Sequence, residues 1–453
     1  MTSLRFLGGV GEIGGNKILL SDKGSNVFLD FGKSYAQEGE YFDFPLLQPR
    51  EPRHLLGLGI LPNVAGLYKG QEEDHDIDAI VLSHPHGDHW DYMRFVKDDV
   101  PIHCAPLTAK VILAREMSSA GGISTEYKVA NLTGSRGRQI SKTFEEFAPT
   151  KTHSVDEVQI KSYEVDHSIP GCYGMIVETS AGTIVYTGDV RVAGPRRSLT
   201  EEFVKRSAAA EPEALIVEGT NVGEASISSE DEVKDKAEVI VGSTSQLVVA
   251  SFAAGDTQRI NTFLTVAKES GRKFALSMKQ AFTLMELQGD SSFAGPSLDD
   301  KDILIFRKDK KTEREFEKEV GERFADRIVD STEVNQMQDK VILAASLLDF
   351  NELFELDPKP GSVFILSQSE PFNEEMEIDH RKLGNWLDRY GLPLYQAHAS
   401  GHAKPHELKW LINTIHPKKA YLIHTEHPVL YQRYLADLGI ETVVPTPGSE
   451  FVL

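Results

Sequence analysis

The segment Ser83-His84-Pro85-His86-Gly87-Asp88-His89-Trp90, set directly after the apolar run 79–82, constrains this chain more than any other feature. Three imidazoles and a carboxylate within six residues are too many ionisable groups to bury at a strand end unless they share a partner. A divalent ion is such a partner, because zinc and manganese take neutral imidazole nitrogen and carboxylate oxygen. The tight turn lets His84 and His86 face one ion while Asp88 and His89 face another. A lone histidine is usually a satisfied core residue; a cluster at this spacing reads as a ligand set.

The remaining composition narrows the chemistry. The only cysteines, Cys104 and Cys172, exclude a disulfide framework and a Cys-rich zinc finger, so any metal must be held by His and carboxylate. A length of 453 residues points to more than one domain. No apolar run approaches the roughly 20 residues a membrane span needs. The first 22 residues lack the pattern of a secretory signal. The expected setting is the cytoplasm, with no membrane partner. The formal net charge of −21 argues against a polyanionic partner in general. Binding to phosphates depends on the few Lys and Arg that touch them, so a local basic site survives on an acidic surface.

Short β-rich runs alternate with amphipathic helical stretches, which predicts a layered α/β architecture. Strands are expected over 17–20, 27–30, 79–83, 183–187, 214–217, 247–251, 303–306, 363–366 and 420–423. Several end at His, Asp, Glu or Ser, as expected where polar groups gather in one crevice at the strand ends. Gly9-Val10-Gly11-Glu12-Ile13-Gly14 fits a dinucleotide fingerprint, but residues 16–20 read as another strand where that fingerprint needs a helix. A glycine-rich hairpin is the better reading. The charged stretch 307–327, with Phe316, Val320 and Phe324 every four residues, predicts one amphipathic helix. All fifteen histidines lie before residue 168 or after residue 379, which predicts an inserted domain within a domain whose two halves share one site.

The His84–His89 cluster resembles the metallo-β-lactamase superfamily, an αβ/βα sandwich with a mono- or dinuclear site at one sheet edge. The resemblance implies His167, in Asp166-His167-Ser168-Ile169-Pro170, as third ligand of the first metal, and Asp189, in Tyr186-Thr187-Gly188-Asp189, as the bridging carboxylate. The rest of the chain resembles the β-CASP branch, which acts on nucleic acids and carries an inserted α/β domain. Leu215-Ile216-Val217-Glu218-Gly219-Thr220-Asn221 matches its acidic motif, placing Glu218. His398-Ala399-Ser400-Gly401-His402-Ala403 matches its second histidine motif, with His402 near the scissile phosphate. Tyr421-Leu422-Ile423-His424-Thr425-Glu426 matches the third, with His424 completing the second metal's shell and favouring RNA over DNA. Within the branch the chain is most similar to the ribonuclease J family in its compact archaeal form, end to end. The implied division is 1–220 and 381–453 for the metallo-β-lactamase domain and 221–380 for the insert. Assembly as a homodimer would use either domain.

The resemblance implies a 5′→3′ exoribonuclease on single-stranded RNA with 5′-monophosphate ends, acting through a hydroxide held by two divalent ions. Zn2+ is favoured by the five histidines, with Mn2+ or Mg2+ as alternatives. The metal ligands are then His84, His86, Asp88, His89, His167, Asp189 and His424, and the catalytic residues Asp88, Glu218 and His402. The RNA 5′-phosphate is expected at His398, Ser400 and Gly401, with Ser367 and Ser369 as further candidates. Arg191, Arg196, Arg197, Arg259 and Lys404 are basic residues near the motifs, each more simply read as solvated than as a phosphate contact, and Phe252 could stack on a base, although a Phe after an apolar strand is more often core. The rival readings are a β-CASP endonuclease, a small-molecule metallo-hydrolase and a non-catalytic RNA-binding scaffold. The inserted domain and the Glu218 and His402 motifs count against the second, and the complete ligand set against the last.

Overall fold

The computed structural model describes residues 1–43, 46–119, 125–133, 137–223, 228–368 and 374–453. The chain divides into two compact units: 1–131, 139–226 and 401–453 form one, 132–138 and 227–400 the other. The second unit runs to 400, beyond the expected 380, because the strand Leu394–Gln396 pairs with Val363–Leu366 and extends that unit's sheet. No helix among the described residues is long and apolar enough to cross a membrane.

In the first unit two sheets lie face to face. One runs in the order Glu450–Val452, Ser3–Gly8, Lys17–Asp22, Ser25–Leu29, Ala79–Val81, Ile102–Cys104, Phe144–Glu146. The other runs Glu441–Val443, Lys419–Leu422, Ala214–Val217, Gly182–Tyr186, Tyr173–Thr179, Val158–Glu164, Thr152–Val155. Strand alternation builds the layers. From the first sheet Leu4, Ile18, Val27, Leu29 and Val81 share a core with Val158, Ile160, Met175, Val177 and Ile216 from the second. Phe28 points the other way, into a cluster with Tyr68, Trp90 and Tyr92. On the far side of the second sheet Gly174 leaves room for Phe203 of the helix Arg197–Ala209, where a Cβ would stand 2.4 Å from the ring. Each fully buried side chain of this kind contributes about 1.5–3 kcal/mol.

Parallel pairing aligns the strand ends that matter. Ser25–Leu29 pairs parallel with Ala79–Val81, and Gly182–Tyr186, Ala214–Val217 and Lys419–Leu422 pair parallel with one another. Their carboxyl ends lead directly into Asp30, Ser83 and His84, Asp189, Glu218 and His424. The glycine-rich segment 9–16 joins two antiparallel strands, as a hairpin rather than a dinucleotide loop. It packs on the metal-motif turn: Asn16 N–H donates to Asp88 O at 3.1 Å, and Gly14, at φ +83°, leaves no room for a side chain beside Asp88.

Gly32 makes a testable point about the same turn. A Cβ there would fall 1.6 Å from Asp88 O and 2.6 Å from His89 N, backbone atoms that cannot swing aside. Gly32→Ala should destabilise the protein by about 3 kcal/mol or more, beyond ordinary overpacking, because the clash is with backbone. A urea unfolding curve reads this directly, and a midpoint equal to wild type would contradict it.

The second unit is built on a parallel sheet in the order Ile328–Val329, Ile303–Phe306, Lys273–Ser277, Val341–Ala344, Val248–Ser251, Val363–Leu366, Leu394–Gln396. Its near-continuous apolar strands are buried on both faces, as parallel sheets require. The helix expected over 307–327 is confined to Glu315–Arg323, with Phe316 and Val320 on its buried face. The preceding lysines are held by ion pairs, Lys308 with Asp349 and Lys310 with Glu317, so this run is a solvated edge and not a tail. Phe252 is core, stacked 5.4 Å from Phe263.

Candidate metal centre

The strand ends bring seven side chains of the first unit together. One group of potential ligand atoms comes from His84, His86, His167 and Asp189, and a second from Asp88, His89, Asp189 and His424, each within 4.8 Å of one another. In the first, His86 Nδ1 lies 3.1 Å from His84 Nε2 and 3.0 Å from His167 Nε2. Asp189 Oδ2 is 3.3 Å from His84 Nε2 and 3.8 Å from His167 Nε2. In the second, His89 Nε2 is 3.4 Å from His424 Nε2, and Asp88 Oδ2 is 3.2 Å from His424 Nε2. Asp189 Oδ1 stands 3.3 Å from His89 Nε2 and 3.7 Å from His424 Nε2. Asp189 therefore turns one oxygen to each group.

The far ring nitrogens settle which atoms face inward. Ser83 Oγ donates to Asp30 Oδ2 at 2.6 Å, so His84 Nδ1 donates to Ser83 Oγ at 3.0 Å. His89 Nδ1 donates to Asp30 Oδ2 at 2.7 Å, His167 Nδ1 to Gly401 O at 2.5 Å and His424 Nδ1 to Thr220 Oγ1 at 2.8 Å. With the proton on Nδ1 in all four, Nε2 presents its lone pair, the arrangement that orients metal-binding imidazoles. Lone pairs converging at 3.0–3.4 Å repel unless a cation lies among them. Such separations are close to the roughly 3.3 Å edge of four donors about 2.0–2.1 Å from one ion. Asp189 Oδ1 is buried with no hydrogen-bond partner among the described residues. The donor set fits divalent metal ions.

Electrostatics agree. Burial, with neighbouring imidazoles, pushes the pKa of His84, His86 and His167 down, His86 to about 3, so these rings are neutral. His89 differs: burial opposes its charge, but the carboxylates of Asp189, Asp88 and Asp30 outweigh burial and raise its pKa, so the positive charge those acids call for falls on this ring unless a divalent ion supplies it and leaves Nε2 its lone pair. Asp189 is held ionised against burial by His424, His89, His84 and His402. This is an acid-rich pocket whose charge calls for cations.

Glu218 and His402 form a separate pair beside the second group. His402 Nδ1 lies 3.1 Å from Glu218 Oε1 and 3.1 Å from Thr220 Oγ1. Glu218 also accepts from Val190 N–H at 3.0 Å and Thr220 N–H at 3.1 Å, which fixes its carboxylate. Burial lowers the pKa of His402, but Glu218 and Asp189 more than offset this and raise it to about 9. Its side chain keeps 18% exposure, whereas those of His84, His89 and His167 have at most 1%.

The remaining sequence candidates fall elsewhere. His398 and Ser400 belong to the second unit and Gly401 to the first, so the donor groups do not include the first two. Gly401 packs against Ser168, where a Cβ would meet Ser168 Oγ at 2.7 Å. Ser367 is buried and donates to Ala397 O at 2.5 Å, and Ser369 lies outside the described residues. Arg191 and Arg259, among the basic residues near the motifs, are buried rather than solvated: Arg191 bonds Asp166 at 3.0 Å, and Arg259 is clamped by Ser367 and by Glu230 at 2.9 Å. The sequence reading missed Asp30, Ser83 and Thr220 as partners of the histidines. Asp30 carried a signal, being an acid at the end of a strand.

Known proteins resemble this chain in the same regions. Residues 63–228 match the beta-lactamase superfamily domain, and residues 394–445 the Zn-dependent metallo-hydrolase RNA specificity domain. Ribonuclease J of Mycoplasma genitalium is 23% identical over 443 residues, covering 95% of this chain and 68% of that protein. Ribonuclease J of Thermus thermophilus is 26% identical, covering 91% and 66%, and that of Corynebacterium glutamicum 24%, covering 93% and 53%. The chain thus spans between about half and two thirds of the length of these relatives. A crystal structure of a protein of unknown function from Enterococcus faecalis V583 shares the fold, with a TM-score of 0.78, 19% identity and full coverage of both chains. The domain matches and the relatives agree: the chain carries a beta-lactamase superfamily domain and a Zn-dependent metallo-hydrolase RNA specificity domain, and along most of its length it is similar to ribonucleases J.

Proposed function

We propose that this chain is a metal-dependent 5′→3′ exoribonuclease acting on single-stranded RNA with 5′-monophosphate ends. The observation that carries the reading is the pair of donor groups sharing Asp189, with the Glu218–His402 pair beside them. Two divalent ions, Zn2+ favoured and Mn2+ next, would lower the pKa of water and neutralise phosphate oxygens at such a site. Asp189 keeps the two groups at one spacing. His402, its Nδ1 held by Glu218, carries a proton at neutral pH and can give one to the leaving oxygen from Nε2. Gly401 supports the exonuclease reading, because its carbonyl accepts from His167. A 5′-phosphate held at that residue would lie within a short reach of the first donor group.

The test uses 5′-labelled single-stranded RNA bearing monophosphate, triphosphate or hydroxyl ends, with wild type and His86→Ala, in Mn2+ and in Zn2+. The expected result is label released directly as mononucleotide, fastest from the monophosphate and absent in the variant. Internal fragments insensitive to the 5′ group would make the protein an endonuclease and remove the role of His398, Ser400 and Gly401. No cleavage by metal-loaded protein would return the scaffold reading.

A further inference from the structure

With Arg191 turned inside the protein, the cation beside the donor groups comes from a residue far from the motifs. At Gly87, between His86 and Asp88, a Cβ would lie 2.6 Å from Tyr35 Oη and 3.4 Å from Arg115 Nη2. The Tyr35 hydroxyl and the Arg115 guanidinium therefore both sit against the backbone that carries two donor residues. Tyr35 opens the helix Tyr35–Gly39, capped by Ser34, and Arg115 lies on the helix Pro106–Ser118. Lys33 Nζ stands over the Tyr35 ring, 5.1 Å from its centre. Tyr35 nevertheless keeps 49% of its surface exposed, and Arg115 is exposed as well.

An exposed aromatic ring set beside an arginine, both against the turn between His86 and Asp88, is an unusual surface feature unless something covers it. We propose that Tyr35 and Arg115, with Lys33, form a subsite for a single-stranded RNA, one base stacking on the Tyr35 ring and one phosphate meeting Arg115. The proposal rests on the ribonuclease reading above and adds the residues that would hold the strand at the first unit. Stacking on an aromatic face is tolerant of base identity, and guanidinium suits a phosphate. Packing at Gly87 holds both in place before RNA arrives, which lowers the ordering cost of binding. Lys33 is paired with Glu38, and Asp88 and Asp91 act on Arg115 electrostatically, so the cations here answer local acids until a polyanion competes for them.

The test is fluorescence anisotropy with a 3′-labelled, 2′-O-methyl single-stranded RNA and the Mn2+-loaded full chain. Tyr35→Ala should weaken binding about 5- to 100-fold, the span expected for one stacked base. Tyr35→Phe, which keeps the ring, should stay within about 3-fold. Arg115→Met should weaken binding and lower the slope of log Kd against log salt by about 0.7, the value for one phosphate contact on a single strand. If Tyr35→Ala fails to fold, Arg115→Met, at an exposed helix position, decides the matter. Wild-type affinity and salt slope in folded Tyr35→Ala and Arg115→Met would overturn the subsite and leave the ribonuclease reading standing. A metal-loaded wild type that binds no RNA would overturn both.

Discussion

Asp189→Ala should bind fewer divalent ions than wild type and cleave RNA at least about 10³-fold more slowly, the loss expected when several kcal/mol of metal-borne stabilisation disappear. Among the described residues no other side chain offers an atom to both donor groups: Asp189 Oδ2 faces His84 and His167 while Oδ1 faces His89 and His424. Without it the first group is three imidazoles with no carboxylate, and the second keeps only Asp88 as an acid. Asp189→Asn retains one carbonyl oxygen and should fall between the two. Metal content by mass spectrometry and single-turnover cleavage read the two effects separately. Full metal content with a rate within tenfold of wild type would show that the shared carboxylate is not what organises the site.

The second large effect is expected at Asp30, which touches neither donor group's open side. Its oxygens accept from Ser83 N–H and Ser83 Oγ at 2.6 Å each, from His89 Nδ1 at 2.7 Å and from Tyr186 Oη at 2.6 Å, all in the buried interior. Asp30→Ala leaves those donors with no acceptor and His89 without the carboxylate at its Nδ1, which should cost about 3–5 kcal/mol of stability. The residue also sits at φ +61°, a left-handed backbone that Ala adopts less readily than Asp or Asn. Asp30→Asn keeps the shape but only one accepting oxygen, so its cost should be intermediate. Tyr186→Phe, losing a single bond, should cost about 1 kcal/mol. Urea unfolding of the three variants gives the series. An Asp30→Ala protein as stable as Tyr186→Phe would mean that the carboxylate is not the hub these distances describe.

Much of the fold was legible along the chain. The runs 214–217, 303–306 and 363–366 are strands with those bounds, because each is an unbroken apolar stretch between polar turns. The hairpin over 9–16 was legible for a related reason, since apolar residues resumed at once on its far side. The helix expected over 307–327 was overextended, because its charged start satisfies Glu317 and Asp349 from a loop as well as it would from a helix.

By itself the sequence marked the donor cluster. His84, His86, Asp88 and His89 stand within six residues, and such a density of donors at a strand end has few physical solutions other than an ion. The tertiary structure alone decided which groups support and surround that chemistry. Asp30 reaches Ser83 and His89 because the strand Ser25–Leu29 pairs in parallel register with Ala79–Val81, and a register shift of one residue would point it to the other face. Arg191 lies two residues after Asp189 yet turns inward to Asp166, while Arg115, on a separate helix away from the motif, packs at Gly87 beside Tyr35. Nearness in sequence governs which residues share a turn, but side-chain direction and strand pairing govern which share a site.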